Sequence, residues 1–164
     1  MHKITLSERM KRLFYLFFVL SAACTNKPGF PIEPKIEYLG MTKSSMIQSS
    51  VNGDSTLIRI SFTDGDGDLG DKDSLNLIVT DSRIPGFPEK FKIPFVPKEG
   101  SGNGISGEIG FLVYSTCCIY PDGSACFPST QYPTDSLHYL IKIKDRAGHW
   151  SNEIRTNDLV ILCQ

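Results

Sequence analysis

Beyond Cys24 the chain contains no stretch of ten or more residues that combines helical periodicity with caps. It alternates instead. Thr56-Leu57-Ile58-Arg59-Ile60-Ser61-Phe62 sets Ile58, Ile60 and Phe62 against Leu57 and Arg59, the two-residue period of a strand. Lys35 to Leu39, Leu75 to Thr80, Lys90 to Val96, Ile109 to Tyr114 and Leu137 to Lys144 read the same way. Ser151 to Leu162 holds a last strand, with Leu159-Val160-Ile161-Leu162 as its buried part. Met41 to Gly53 is polar and serine-rich, a weak strand ending in a turn at Asn52-Gly53-Asp54. Pro94 lacks an amide donor and assigns its strand to a sheet edge. About seven short strands separated by Gly, Pro and Asp turns predict an all-β chain, an antiparallel β-sandwich.

The first 34 residues stand apart. Lys3, Arg9, Lys11 and Arg12 give the leader a positive charge, and residues 13–23 are an uncharged apolar run. Eleven residues rise about 16 Å as a helix, roughly half a bilayer core. That length suits a signal peptide better than a membrane span. Ser21-Ala22-Ala23-Cys24 resembles the end of a bacterial lipoprotein signal, which implies cleavage after residue 23 and acylation of Cys24. Ser21 stands where such signals usually carry Leu; the competing reading is a plain secretory signal cleaved near Ala23. Asn26 is not the Asp that retains enterobacterial lipoproteins at the inner membrane, so the resemblance implies the outer membrane and leaves both of its faces open. Residues 24–34 contain Pro28, Pro31 and Pro34 and read as a semi-rigid tether, and 35–164 form the folded domain. The expected partners are the membrane, through the lipid, and an envelope protein or glycan.

After residue 12 the chain holds 13 basic and 17 acidic residues, a net charge of about −4. A mildly acidic body without a basic stripe speaks against nucleic acid, whose binding needs clustered Lys and Arg. Gly102-Asn103-Gly104-Ile105-Ser106-Gly107 matches the dinucleotide-binding glycine pattern in form. The segment after it reads as a strand, not the helix whose N-terminus would face a pyrophosphate, so Glu99 to Gly110 is read as a mobile hairpin loop.

The densest chemistry lies in Asp64-Gly65-Asp66-Gly67-Asp68-Leu69-Gly70-Asp71-Lys72-Asp73, five carboxylates and three glycines in ten residues. Carboxylates at this spacing suit Ca²⁺, which takes six to eight oxygens, and glycine lets the chain curl around an ion. Asp64, Asp66 and Asp68 follow the first three ligand positions of a helix–loop–helix calcium site, but Leu69 and Leu75 occupy its required Gly and Glu positions. The candidate ligands of a structural Ca²⁺ are therefore Asp64, Asp66, Asp68, Asp71 and Asp73, the last two as supplementary oxygens. The competing reading is a solvated turn.

Cys117, Cys118, Cys126 and Cys163 form an even set, which in an oxidising compartment predicts two disulfides. Neighbouring strand residues point to opposite faces, so Cys117 and Cys118 do not pair with each other. One bonds Cys126 and the other Cys163, in either arrangement. Tyr120, Phe127 and Tyr132 on the cysteine-tied loop, with Trp150 on the next turn, are candidates for a protein- or sugar-contacting surface; packing of the sandwich end competes. No Ser sits in a nucleophile elbow, and His138 and His149 read as surface or turn residues. No enzyme is expected.

Phe62 to Gly70, taken with Ile143-Lys144-Asp145-Arg146-Ala147-Gly148-His149-Trp150-Ser151-Asn152, resembles Bacteroidetes lipoproteins of unknown function that carry an immunoglobulin-like domain. Similar Asp-x-Ala-Gly turns precede the last strand of immunoglobulin-like and fibronectin-III-like modules. The resemblance covers roughly residues 35–162 and implies that fold without implying an activity. The expectation is a lipid-anchored, non-enzymatic binding or structural module of the cell envelope. The alternative is an accessory glycan- or protein-binding lipoprotein of an uptake or envelope-assembly system.

Overall fold

The computed structural model describes residues 29–97 and 104–164. The expected signal segment, Cys24, the first part of the expected tether and Gly102-Asn103 lie outside the described residues.

Among the described residues, ten strands form three sheets. The first sheet has β3 (Ser55–Asp64) at its centre, between β1 (Lys35–Met41) and β6 (Ile105–Tyr114), all antiparallel. The second orders β2 (Ser45–Ile47), β10 (Leu159–Leu162) and β7 (Thr134–Leu137). The third orders β5 (Glu89–Phe91), β4 (Leu77–Asp81), β8 (Tyr139–Ile143) and β9 (Ile154–Arg155). β7 and β8 are separated by His138 alone, where the chain leaves β10 and takes up β4. His138 is held at that switch through Ser82, whose amide donates to the His138 carbonyl and whose hydroxyl accepts from the His138 amide. The second and third sheets thus share one run of chain. All three sheets contribute side chains to a single core, as a sandwich requires.

The alternation in the sequence is what the core uses. Ile58, Ile60 and Phe62 of β3 point inward, as do Leu77 and Val79 of β4, Ile141 and Ile143 of β8, and Leu159 and Ile161 of β10. The Phe91 and Phe111 rings meet at 5.3 Å between centroids and join the third sheet to the first. Each fully buried aliphatic side chain contributes about 1.5–3 kcal/mol of transfer free energy.

Four expectations are corrected. The glycine-rich stretch is not a loop from residue 105 onward: Ile105 to Gly110 pair with β3 from Asp64 to Arg59. Glycine there leaves room for a neighbour, since a Cβ on Gly107 would press on the Phe62 ring at 3.1 Å. The strand expected over Lys90 to Val96 ends at Phe91. It does occupy a sheet edge, but Ile93 turns away to donate its amide to Asn76 Oδ1 at 2.7 Å. β2 joins β10 in parallel, so the sandwich is not wholly antiparallel. The strand count is ten where about seven were expected, because the runs before residue 48 and around residues 138 and 154 break into short pieces.

The cysteine ambiguity resolves as Cys117–Cys126 and Cys118–Cys163. The first closes the aromatic loop; the second fastens that loop to the end of β10. A partly buried ion cluster supports the same region. Arg83 donates to Asp81, to Asp135 at 2.5 Å and to the Cys117 carbonyl at 3.1 Å. The entropy removed from the unfolded chain grows with the span that is closed. Serine replacement of Cys118 and Cys163, 45 residues apart, is therefore expected to cost about 4 kcal/mol. Replacement of Cys117 and Cys126, 9 apart, is expected to cost about 3 kcal/mol. Urea unfolding of the two double variants checks the order.

Candidate metal centre

The acidic loop begins where β3 ends. Asp64 is the last residue of that strand and is fully buried. Gly65 follows because another segment of chain lies against it: a Cβ there would sit 2.3 Å from the Phe30 carbonyl and 2.4 Å from that of Pro31. The Gly65 amide donates to the Pro31 carbonyl at 2.7 Å. Leu69 reverses the polarity of the loop and inserts its side chain fully into the core. Gly70 has φ +79° and passes so close to the Pro94 carbonyl that a Cβ would lie 2.0 Å from it. The loop is therefore folded inward as a packed corner of the sandwich.

The other half of the site comes from the turn between β8 and β9. The Arg146 amide donates to the Asp68 carbonyl, and Arg146 Nη1 reaches the carbonyls of Leu69 (3.0 Å) and Gly70 (2.7 Å). This clasp places Asp145 beside the loop. One oxygen each from Asp64, Asp66, Asp68 and Asp145 lies within 4.8 Å of all the others, and every member except the half-buried Asp66 is buried. Two oxygens bound to one Ca²⁺ at about 2.3–2.6 Å stand at most about 5 Å apart, and the four fall within that limit. The cluster can hold a metal ion.

Some of its oxygens already have partners. Asp64 Oδ2 accepts the Asp68 amide at 2.9 Å. Asp145 Oδ1 accepts the amides of Gly148 (2.6 Å) and His149 (2.7 Å), and Oδ2 meets His149 Nδ1 at 2.8 Å. Asp64 Oδ1 and Asp66 Oδ1 are buried and have no hydrogen-bond partner. A buried polar oxygen left without a partner costs about 1–3 kcal/mol, more when charged. Burial pushes the Asp64 carboxyl up to about 6; the adjacent Asp66 carboxyl pushes the same way, and the Asp68 amide opposes both. His149 is raised above its ordinary value chiefly by its bond to Asp145.

Three of the five carboxylates singled out in sequence come together and two do not. Asp71 Oδ1 caps the amides of Asp73 (2.7 Å) and Ser74 (3.1 Å), the solvated-turn role, and neither Asp71 nor Asp73 belongs to the cluster. Asp145 replaces them. Its only signal in sequence was the Asp145-to-Asn152 turn, recognisable as a motif but 77 residues from Asp68. His149, read as a turn residue, is the hydrogen-bond partner of Asp145.

The four aromatic candidates do not make one surface. Tyr120 is buried, donates to the Phe127 carbonyl and packs on Tyr132 at 5.9 Å between centroids. Trp150 belongs to a different part of the molecule, beneath the ammonium groups of Lys142 (4.9 Å) and Lys144 (5.4 Å). Comparison with known proteins adds nothing to these assignments: no family model, curated protein or solved structure matches the chain.

A carboxyl whose folded pKa exceeds its unfolded value contributes stability below the unfolded pKa and loses it as pH rises through the folded one. With Asp64 raised to about 6, the chelator-treated protein loses stability as pH climbs from about 4 to 7. Asp64→Asn keeps the acceptor for the Asp68 amide and removes the charge. It is expected to flatten that profile and to stabilise the chelated protein at pH 7 by about 1 kcal/mol. Urea midpoints across pH provide the check, and a flat wild-type profile counts against the assignment.

Proposed function

We propose that this chain is a lipid-anchored, non-enzymatic module of the cell envelope whose β-sandwich is stabilised by a structural Ca²⁺ held by Asp64, Asp66, Asp68 and Asp145. The observation that carries the calcium reading is the pair of partnerless buried oxygens, Asp64 Oδ1 and Asp66 Oδ1, within a cluster of four carboxylates. Ca²⁺ would supply the missing partners and offset the repulsion between them; the all-oxygen donor set suits it and does not suit softer ions. The ion would join the end of the first sheet to a turn of the third. The anchor reading is supported by the charged leader, the short apolar run 13–23 and Cys24, and the outer membrane by Asn26.

A second reading, recognition of a glycan, is favoured by a groove of about 570 Å³. Ser49, Asn52, Glu89, Tyr114, Ser115 and Thr116 line it with hydroxyls, an amide, a carboxylate and a ring. Such groups match the polar edges and apolar faces of sugar rings.

At a Ca²⁺ concentration about a hundred times its Kd, the stability gain is about 2.7 kcal/mol and the melting temperature rises accordingly. Asp66→Asn and Asp145→Asn each abolish the rise, whereas Asp71→Asn, outside the cluster, retains it. Calorimetry with added calcium and with chelator tests this. A melting temperature indifferent to both sinks the metal reading.

A further inference from the structure

We propose that the outer face of the third sheet, built from Lys90, Lys142, Lys144 and Trp150, docks on an anionic lipid surface. The register sets the first two lysines in one row: Ile78 of the central strand is paired with Lys90 on one side and Lys142 on the other. Lys144 is bridged to Trp150, and the Lys142 and Lys144 ammonium groups both lie over the indole ring. Inward-facing Val79, Ile141 and Ile143 alternate with these residues, so the row faces away from the core. Trp150 is 45% exposed.

Charge identifies the class of partner. Among the described residues, Lys35, Lys43, Arg59, Arg83 and Arg155 each meet a carboxylate. Lys90, Lys142 and Lys144 form no such pair; Lys72, Lys92 and Arg146 also lack one, but Lys92 and Arg146 bond backbone carbonyls and Lys72 lies over the Phe95 ring. A body with an excess of acid therefore gathers three lysines without a carboxylate partner on one sheet face. An anionic partner satisfies them, and an aromatic ring among lysines matches the groups that sit at a headgroup boundary.

The path of the chain selects a lipid surface among anionic partners. Ile36 is held by Asn152, two residues beyond Trp150, through both its amide and its carbonyl at 2.9 Å. The chain thus enters the sandwich beside the Trp150 turn, and the segment bearing the proposed anchor lies just upstream. The inference rests on that anchored reading: a tether entering here holds this face near the membrane to which it is attached.

Trp150 is the single tryptophan of the chain, so its fluorescence reports this face directly. Full-length protein is mixed with phosphatidylcholine vesicles and with vesicles in which phosphatidylglycerol replaces part of the phosphatidylcholine, each with and without brominated acyl chains. With anionic vesicles alone, the emission is expected to shift to the blue, to be quenched by bromine and to recover at high salt. Combined Lys90→Ala, Lys142→Ala and Lys144→Ala substitutions are expected to weaken the response about a hundredfold, while Lys35→Ala leaves it intact. Trp150 emission unchanged by anionic vesicles overturns the inference. So does an equal shift on both vesicle types, or one reproduced by dextran sulfate in solution. Because the salt arm uses the unaltered chain, a misfolded triple variant does not block the test. Co-sedimentation with pure phosphatidylcholine vesicles reads the anchor separately, and its failure is distinguishable from an unresponsive Trp150.

Discussion

Four carboxylates folded into one corner set the terms for the rest of this sandwich. Like charges brought together out of water repel, and each loses hydration as it is buried. The molecule meets the difficulty by spreading partners from both sides. Backbone amides of the loop and of the opposite turn donate inward, and His149 sits on Asp145. Leu69 then fixes the loop mechanically by filling the core, so the carboxylates cannot swing out without emptying a packed site.

The same corner joins parts of the chain that are far apart in sequence. β3 delivers Asp64, the turn after β8 delivers Asp145 and Arg146, and the segment before β1 closes over Gly65. Pro94 and Val96 reach it from the stretch that leaves the third sheet after β5. Arg146 is the common link: it bonds carbonyls from two of these segments and lies over the Phe95 ring at 4.6 Å. At the opposite end of β8, Arg83 performs comparable work with Asp81, Asp135 and the Cys117 carbonyl. Two arginines thus organise the loops that two-residue alternation leaves undefined.

The alternation of Ile58, Ile60 and Phe62, and of Tyr139, Ile141 and Ile143, was enough to read an all-β fold, because burial of one sheet face imposes that period directly. Asp64, Asp66 and Asp68 were legible for a similar reason: their spacing along a single loop is itself the signal. Asp145 was not, because its place is set by tertiary contacts of Arg146, and nothing in the spacing of acids reports a contact made across 77 residues. Asp71 stands outside the cluster for the converse reason. It is close in sequence to the cluster, yet its carboxyl is committed to two local amides. The lysines escaped notice because Lys90 and Lys142 are distant in the chain and become neighbours only through the register of β4. Composition correctly described an acidic body, but an average charge carries no information about one face. Cysteine chemistry reduced the pairings to two, and only the fold could choose between them.

The double clasp between Ile36 and Asn152 has a mechanical meaning. If the chain is anchored as we propose, external load enters at the start of β1. The bond from Gly65 to Pro31 and the two amide bonds of Asn152 receive that load before the pairing of β1 with β3 is strained. Under the proposed anchoring, tension on the N-terminal segment is shared with the turn after β8, and strand peeling begins only once this fastening has yielded.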